Sequence, residues 1–297
     1  MTATLFLQHL ANGISLGSLY ALVAIGYTMV YGILRLINFA HGDIFMLGAY
    51  FVFYGILIFA LPWWVSFILS IVLTALCGIV LDRVAYRPLR DAPRISALIS
   101  AIGVSFFLEN LGLVVFGGRP KAFARPEFFS RVFEIGGVRT LSITFVIPLF
   151  SILLLLALWY LVYRTKAGLA MRAISKDMET ARLMGIDVNR TISLTFAIGS
   201  ALAAAGGIMW ALKFPQINPL MGIFPGLKAF IAAVLGGIGS IPGATLGGFV
   251  LGITEIMLVA LLPTLSGYRD ALAFLILIVI LLVRPTGLVG EKIAEKV

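Results

Sequence analysis

The 297-residue chain is 61% hydrophobic and only 12% charged, about half the roughly 25% charge of a soluble globular domain, which excludes a water-soluble fold. Its net charge of +9 does not indicate nucleic acid, because the Lys and Arg residues sit between apolar runs, where they flank membrane crossings. A single cysteine, Cys77, inside an apolar run leaves no intrachain disulfide and no metal-ligand cluster.

No Asp, Glu, Lys or Arg occurs in residues 1–34, 44–81, 140–163 or 191–212. Each run can cross a bilayer, because about 20 helical residues at ~1.5 Å rise span a hydrocarbon core of ~30 Å. The N-terminus has neither a charged n-region nor a small-residue cleavage site, so it reads as the first membrane helix. The run 44–81 breaks at Leu61-Pro62-Trp63-Trp64, where proline and interfacial indoles suit a membrane-surface turn, and yields two helices. A fourth helix is predicted at 95–116, a fifth at 143–163 and a sixth at 191–212. Three more fit between 224 and 284, interrupted at Gly236–Gly243 and Pro263–Asp270. The expectation is an all-α polytopic membrane protein of about eight to nine crossings. The 31 Gly and 12 Pro scattered through apolar sequence predict closely packed, locally broken helices.

Arg83, Arg87, Arg90 and Arg94, and Arg164, Lys166, Arg172, Lys176, Arg182 and Arg190, mark cytoplasmic segments. Arg35, Arg284, Lys292 and Lys296 fall on the same side, placing the N-terminus outside and the C-terminus inside. Residues 117–142 carry five basic residues of their own, yet alternation of the crossings puts them outside. There they are a loosely ordered loop or a surface that receives a partner.

An internal repeat emerges at an offset of 180 residues, from Ile14/Leu194 to Tyr50/Phe230, where ten of 37 ungapped pairs are identical against about three by chance. Five crossings separate the copies, and an odd number inverts the second relative to the first. The chain is therefore read as one transmembrane domain, 1–297, with halves of roughly 5–163 and 191–284 joined by a cytoplasmic loop, 164–190.

Within the repeat, Ile37–Asp43 matches Ile217–Ile223, two polar or helix-breaking patches between apolar helices. Broken helices expose backbone groups tolerated at membrane depth only where protein or a water-filled path satisfies them, which makes Asn38, His41, Asp43 and Asn218 candidates for a solute path. Ordinary turns with capping Asn residues are the alternative, and a lone His such as His41 is more often structural. Glu109 and Asn110 form a polar pair inside the fourth helix, and Glu255 sits similarly in the eighth; ionisable groups there are costly and are functional candidates. For Glu255 an interhelical lock is the favoured reading. Gly236 and Gly237 permit close backbone approach and join the path candidates. No Walker A sequence occurs.

In the stretch 169–187, Ile174, Met178, Ala181 and Gly185 fall on one helical face, with Lys176, Glu179 and Arg182 around it, Ser175 capping its start and Gly185 its end. A short amphipathic helix of this kind docks into a partner's groove or lies on lipid headgroups.

Several blocks in order resemble the permeases of branched-chain amino acid ABC importers of the LivH type: Asn12–Leu22, Ile37–Asp43, Arg83–Pro88, Glu179–Asp187 and Ala232–Gly243. The resemblance covers essentially the whole chain. It implies a non-catalytic permease of the bacterial inner membrane that pairs with a second, homologous permease. Two cytoplasmic ATPase subunits that use ATP and Mg, and a periplasmic substrate-binding protein, complete the assembly. No cofactor is expected on this chain. The segment Glu179–Gly185, with Ile174, Met178, Ala181 and Arg182, corresponds to the family's coupling helix. Permeases for urea and short amides look similar, so the resemblance leaves the solute open. The rival from another class is an ion-coupled secondary transporter with Glu109 or Glu255 as proton carrier. A membrane-embedded enzyme lacks any Ser/His, Asp/Asp or metal-ligand constellation.

Overall fold

The computed structural model describes residues 2–90, 92–135 and 138–290; Lys292 and Lys296 lie outside the described residues. The helices are α1 (Ala3–Leu34), α2 (His41–Leu57), α3 (Trp63–Leu81), α4 (Arg94–Phe116), α5 (Glu127–Ser130), α6 (Ser142–Arg164), α7 (Lys166–Lys176), α8 (Met178–Leu183), α9 (Val188–Lys213), α10 (Ile223–Gly236), α11 (Ile241–Leu261) and α12 (Arg269–Val283). Among the described residues, seven are long and apolar enough to cross a membrane, counting α12 with the turn at Pro263–Tyr268 that precedes it. All nine apolar helices read from the sequence are present. Two of them, α2 with 17 residues and α10 with 14, fall short of the ~20 residues a crossing needs.

At the centre lies α1, buried along most of its length between α6, α9, α10 and α11. A helix apolar on every face can be stable only when surrounded, and small residues let its neighbours come close. Gly13, Gly17 and Ala21, four apart on α1, face Gly248 and Gly252 of α11. A Cβ on Gly17 would stand 2.8 Å from the Phe249 Cα, and one on Gly252 would overlap the Gly17 backbone. In lipid no hydrophobic force holds helices together, so this backbone-to-backbone contact supplies the dispersion that does. By contrast α3, α4, α6 and α12 expose rows of Leu, Ile, Val and Phe, the surface expected against acyl chains or another membrane subunit.

α1 and α9, equivalent helices of the repeat, run antiparallel: Ser15 meets Lys213, Tyr20 lies beside Trp210, and Gly26 packs on Gly199. The turns that follow them are built alike. The His41 amide donates to the Asn38 carbonyl, and 180 residues later Met221 donates to Asn218; Asp43 donates to Ala40, and Ile223 to Leu220.

The segment 117–142 is tied down rather than loose. β1 (Lys121–Ala122) pairs antiparallel with β4 (Gln216–Ile217), and β2 (Val132–Ile135) with β3 (Val138–Leu141). Arg125 donates to the Leu212 and Lys213 carbonyls at 2.6 and 3.1 Å, satisfying acceptors that the end of α9 leaves open and complementing its dipole. These strands lie at the end of the bundle opposite α7 and α8, because α9 runs from one to the other.

The predicted single helix in the loop 164–190 is corrected. Asp177, extended at φ −155° and ψ 111°, breaks it into α7 and α8, and its carboxylate accepts from the Glu179 and Thr180 amides at 3.0 Å. Asp177 is thus the N-cap, while Ser175 bonds back to the Arg172 carbonyl inside α7. Gly185 does end the segment, at φ +82°.

Candidate functional site

Arg35 ends α1 in the left-handed conformation, and the chain then turns back into the bundle. By His41 it has returned to the level of Val23, whose carbonyl accepts from the imidazole at 3.2 Å. Val23 lies 11 residues, about 16 Å, before the end of α1, so α2 starts deep inside the bundle. Gly26 makes room for this return, since a Cβ there would overlap the His41 ring, which also packs on Tyr27 with centroids 4.5 Å apart. Asn38 is fixed by Tyr86, whose hydroxyl donates to its Oδ1 at 2.9 Å. Tyr86 belongs to a π-helical turn, Asp82–Tyr86, anchored where the buried Asp82 accepts from Arg90 and from Ser193. Asn38 and His41 are both buried, and each braces the return.

The second copy of the turn brings α10 to the same place. Gly42 and Gly222, one of the identical repeat pairs, stand backbone against backbone: a Cβ on Gly42 would lie 2.6 Å from the Gly222 carbonyl oxygen, and one on Gly222 would overlap the Gly42 carbonyl. Asn218 makes its own turn, its Oδ1 accepting from the Leu220 amide at 3.0 Å. Two short helices therefore start inside the bundle and touch at their first residues. Beside the contact is a cavity of about 180 Å³ lined by Gly42, Asp43, Gly222 and Gly226 and by Ser105 and Glu109 of α4. Asp43 accepts from the Ser105 hydroxyl at 2.6 Å. Two carboxylates and a hydroxyl thus share one small space inside the bundle.

Of the path candidates, the structure brings Asp43 and Glu109 together here, with Asn38, His41 and Asn218 shaping the turns behind them. Asn110 points away, exposed and bonded to the Phe106 carbonyl of its own helix. Gly236 and Gly237 lie at the far end of α10, about 20 Å from Gly222, where they form the tight turn into α11. Gly237 takes φ +110°, and Gly236 abuts the Gly243 carbonyl.

A second cavity, of about 480 Å³, lies at the end of the bundle opposite α7 and α8. It is walled by α1, α9, α10, α11 and the start of α12, and it holds residues that the sequence reading missed. Lys228 of α10 donates to Glu255 Oε1 at 2.8 Å and to Asp270 Oδ1 at 2.7 Å, and Tyr20 donates to Glu255 Oε2 at 2.9 Å. Glu255 is thus the interhelical lock expected of it. A lone Lys inside the apolar run Ile223–Gly236 was the available signal for its partner.

On the opposite end, Ile174 and Ala181 are buried at 2% and 4% exposure against the protein's own bundle, and Met178 is partly buried. The surface this stripe needs is supplied by the bundle itself. What α8 presents outward is Leu183 and Met184, 87% and 79% exposed, flanked by Glu179 and Arg182.

The description "Branched-chain amino acid transport system / permease component" matches residues 9–281. The chain belongs to that family. It is 44% identical to the high-affinity branched-chain amino acid transport permease LivH of Salmonella typhimurium, over 98% of each chain. It is 43% identical to the corresponding BraD of Pseudomonas aeruginosa, again over 98% of each. Among solved structures, a chain of PsaBC from Streptococcus pneumoniae in complex with Fab matches with a TM-score of 0.50 at 15% identity, covering 93% of this chain and 91% of that one, a likeness of fold. The reading of the chain as a permease of this family, made from its sequence blocks, agrees with the family match and with both relatives.

Proposed function

We propose that this chain is the membrane-spanning, non-catalytic subunit of an ATP-driven importer of the bacterial inner membrane that translocates branched-chain or related small amino acids. The observation that carries it is the 44% identity sustained over 98% of both chains, nearly the full length of each. A second permease, two cytoplasmic ATPases and a periplasmic binding protein are the partners this reading requires, with ATP and Mg used by the ATPases.

The geometry supports the reading in three ways. Antiparallel α1 and α9, followed by α2 and α10 meeting at Gly42 and Gly222, fit two inverted halves related about an axis through that contact. Such paired broken helices give a transporter elements that can rock against each other around a fixed point. The α7–α8 end, with Leu183 and Met184 exposed, suits a cytoplasmic ATPase groove, and the ordered β1–β4 end suits the binding protein. The family's coupling role would then rest on Glu179, Arg182 and the Leu183–Met184 knob, with Ile174, Met178, Ala181 and Gly185 setting its position.

The test is uptake of radiolabelled leucine by cells expressing the chain with its partner subunits. Competition by isoleucine and valine but not urea, and persistence under a protonophore while ATP is held constant, are expected. Asp43 and Glu109 in one cavity are what an ion-coupled carrier would also use. Loss of uptake under the protonophore at constant ATP would favour that carrier.

A further inference from the structure

The larger cavity contains a charge that the protein does not balance. Lys228 is compensated by Glu255 and Asp270. Lys213, at the end of α9, lines the same cavity, and its ammonium donates to the neutral Ser15 hydroxyl at 2.7 Å. Among the described residues no carboxylate pairs with it. An ammonium has three donors, so two of those on Lys213 are left over in a cavity whose other walls include Leu16, Trp210, Phe214 and Phe224. Lys213 is half-buried, and an ammonium held among aromatic and aliphatic side chains with less water around it attracts an anion more strongly than one in open solvent. Arg269, exposed at the rim, adds to the positive field. Glu255, on the same lining, accepts one bond on each carboxylate oxygen and keeps a further lone pair on both.

We infer that this cavity is a binding site for the solute, in which the α-carboxylate of an apolar amino acid pairs with Lys213 and its side chain lies against Trp210, Phe214 and Leu16. The α-ammonium turns toward Glu255. The inference rests on the reading of the chain as an amino acid permease and adds a site within it. The cavity is of the size that buries a small ligand, and its few polar groups among apolar walls are the usual makeup of such sites. It belongs to the end of the bundle where a binding protein would release its cargo. A fatty acid shares the carboxylate and the apolar tail but leaves Glu255 unused, so the zwitterion is the better complement.

The full-length chain, purified with its partner subunits into lipid nanodiscs without binding protein, is titrated with radiolabelled L-leucine, and L-leucinamide and laurate are used as competitors. Leucine should bind and leucinamide, lacking the carboxylate, should compete at least about tenfold more weakly, the worth of one charge-assisted hydrogen bond. Lys213→Gln should weaken leucine binding by a similar factor and Lys213→Arg should restore it. The leucinamide comparison needs no variant, so misfolding of Lys213→Gln does not obscure the result. Equal competition by leucine and leucinamide, or displacement by laurate of a site that leucine does not fill, overturns the inference. If wild-type cells take up leucine while the nanodiscs bind none, this site is wrong and the permease reading stands. If wild-type cells take up no leucine at all, the permease reading fails first.

Discussion

The Lys228–Glu255 lock predicts unequal costs for its two members. Glu255 is 5% exposed at the side chain and has two partners, Lys228 and the Tyr20 hydroxyl; Lys228, 10% exposed, has Glu255 and the half-exposed Asp270. Lys228→Met leaves a buried carboxylate with one neutral donor, and removing one partner of a buried pair costs about 3–5 kcal/mol. Glu255→Gln leaves the ammonium on Asp270 and still offers Tyr20 an amide oxygen, so the cost is that of weakened hydrogen bonds, about 1–2 kcal/mol. The triple variant Tyr20→Phe/Lys228→Met/Glu255→Leu, which removes every charge and donor at the lock except the water-accessible Asp270, should lie near or above wild type, as buried ion pairs replaced by apolar groups often do. Unfolding in mixed micelles of increasing SDS fraction, followed by tryptophan fluorescence, measures all three. Glu255→Gln as destabilising as Lys228→Met, or a triple variant weaker than either, would refute the assignment of the cost to an orphaned carboxylate.

At the contact of the two short helices, Gly42→Val should abolish transport and lower stability by about 1–3 kcal/mol, because its side chain meets the Gly222 backbone; thermal unfolding in detergent alongside leucine uptake checks it. Leu183→Asp should leave the thermal stability unchanged and uncouple ATP hydrolysis from uptake, since that side chain is 87% exposed, whereas the buried Ala181→Glu should destabilise the α7–α8 region itself; ATPase assays with and without solute separate the two. Asp177→Ala should cost about 1 kcal/mol of local stability through loss of the cap, seen as faster amide exchange over Met178–Leu183. A cysteine introduced at Lys121 should be labelled by a membrane-impermeant maleimide from outside the cell, and labelling only from the cytoplasmic side would reverse the orientation.

Charge distribution alone determined that this chain lives in a membrane, because four long runs without Asp, Glu, Lys or Arg are too apolar for a water-exposed surface. It also located nine helices to within a few residues, since each begins or ends at Pro, Gly or a charge. The 180-residue self-match signalled the repeat, and the hydrogen bonds of its two turns recur in register. Helix depth was not legible. Apolar composition is the same for a helix that crosses and one that starts halfway, and only the His41 contact with Val23 and the backbone meeting of Gly42 with Gly222 reveal that α2 and α10 begin inside the bundle. Asn110 and Glu109 are neighbours in sequence, yet 100° of helical rotation sends one outward and the other into the cavity with Asp43. The apolar stripe at Ile174 and Ala181 was visible as a face needing cover, but sequence period cannot say whether a partner or the chain itself provides it. Lys228 and Lys213 come together with Glu255, Tyr20 and Ser15 across separations of 27 to 235 residues, contacts that only packing sets. A pair distant in sequence leaves no periodic trace, and so the charge that Lys213 carries unbalanced emerged from the tertiary structure alone.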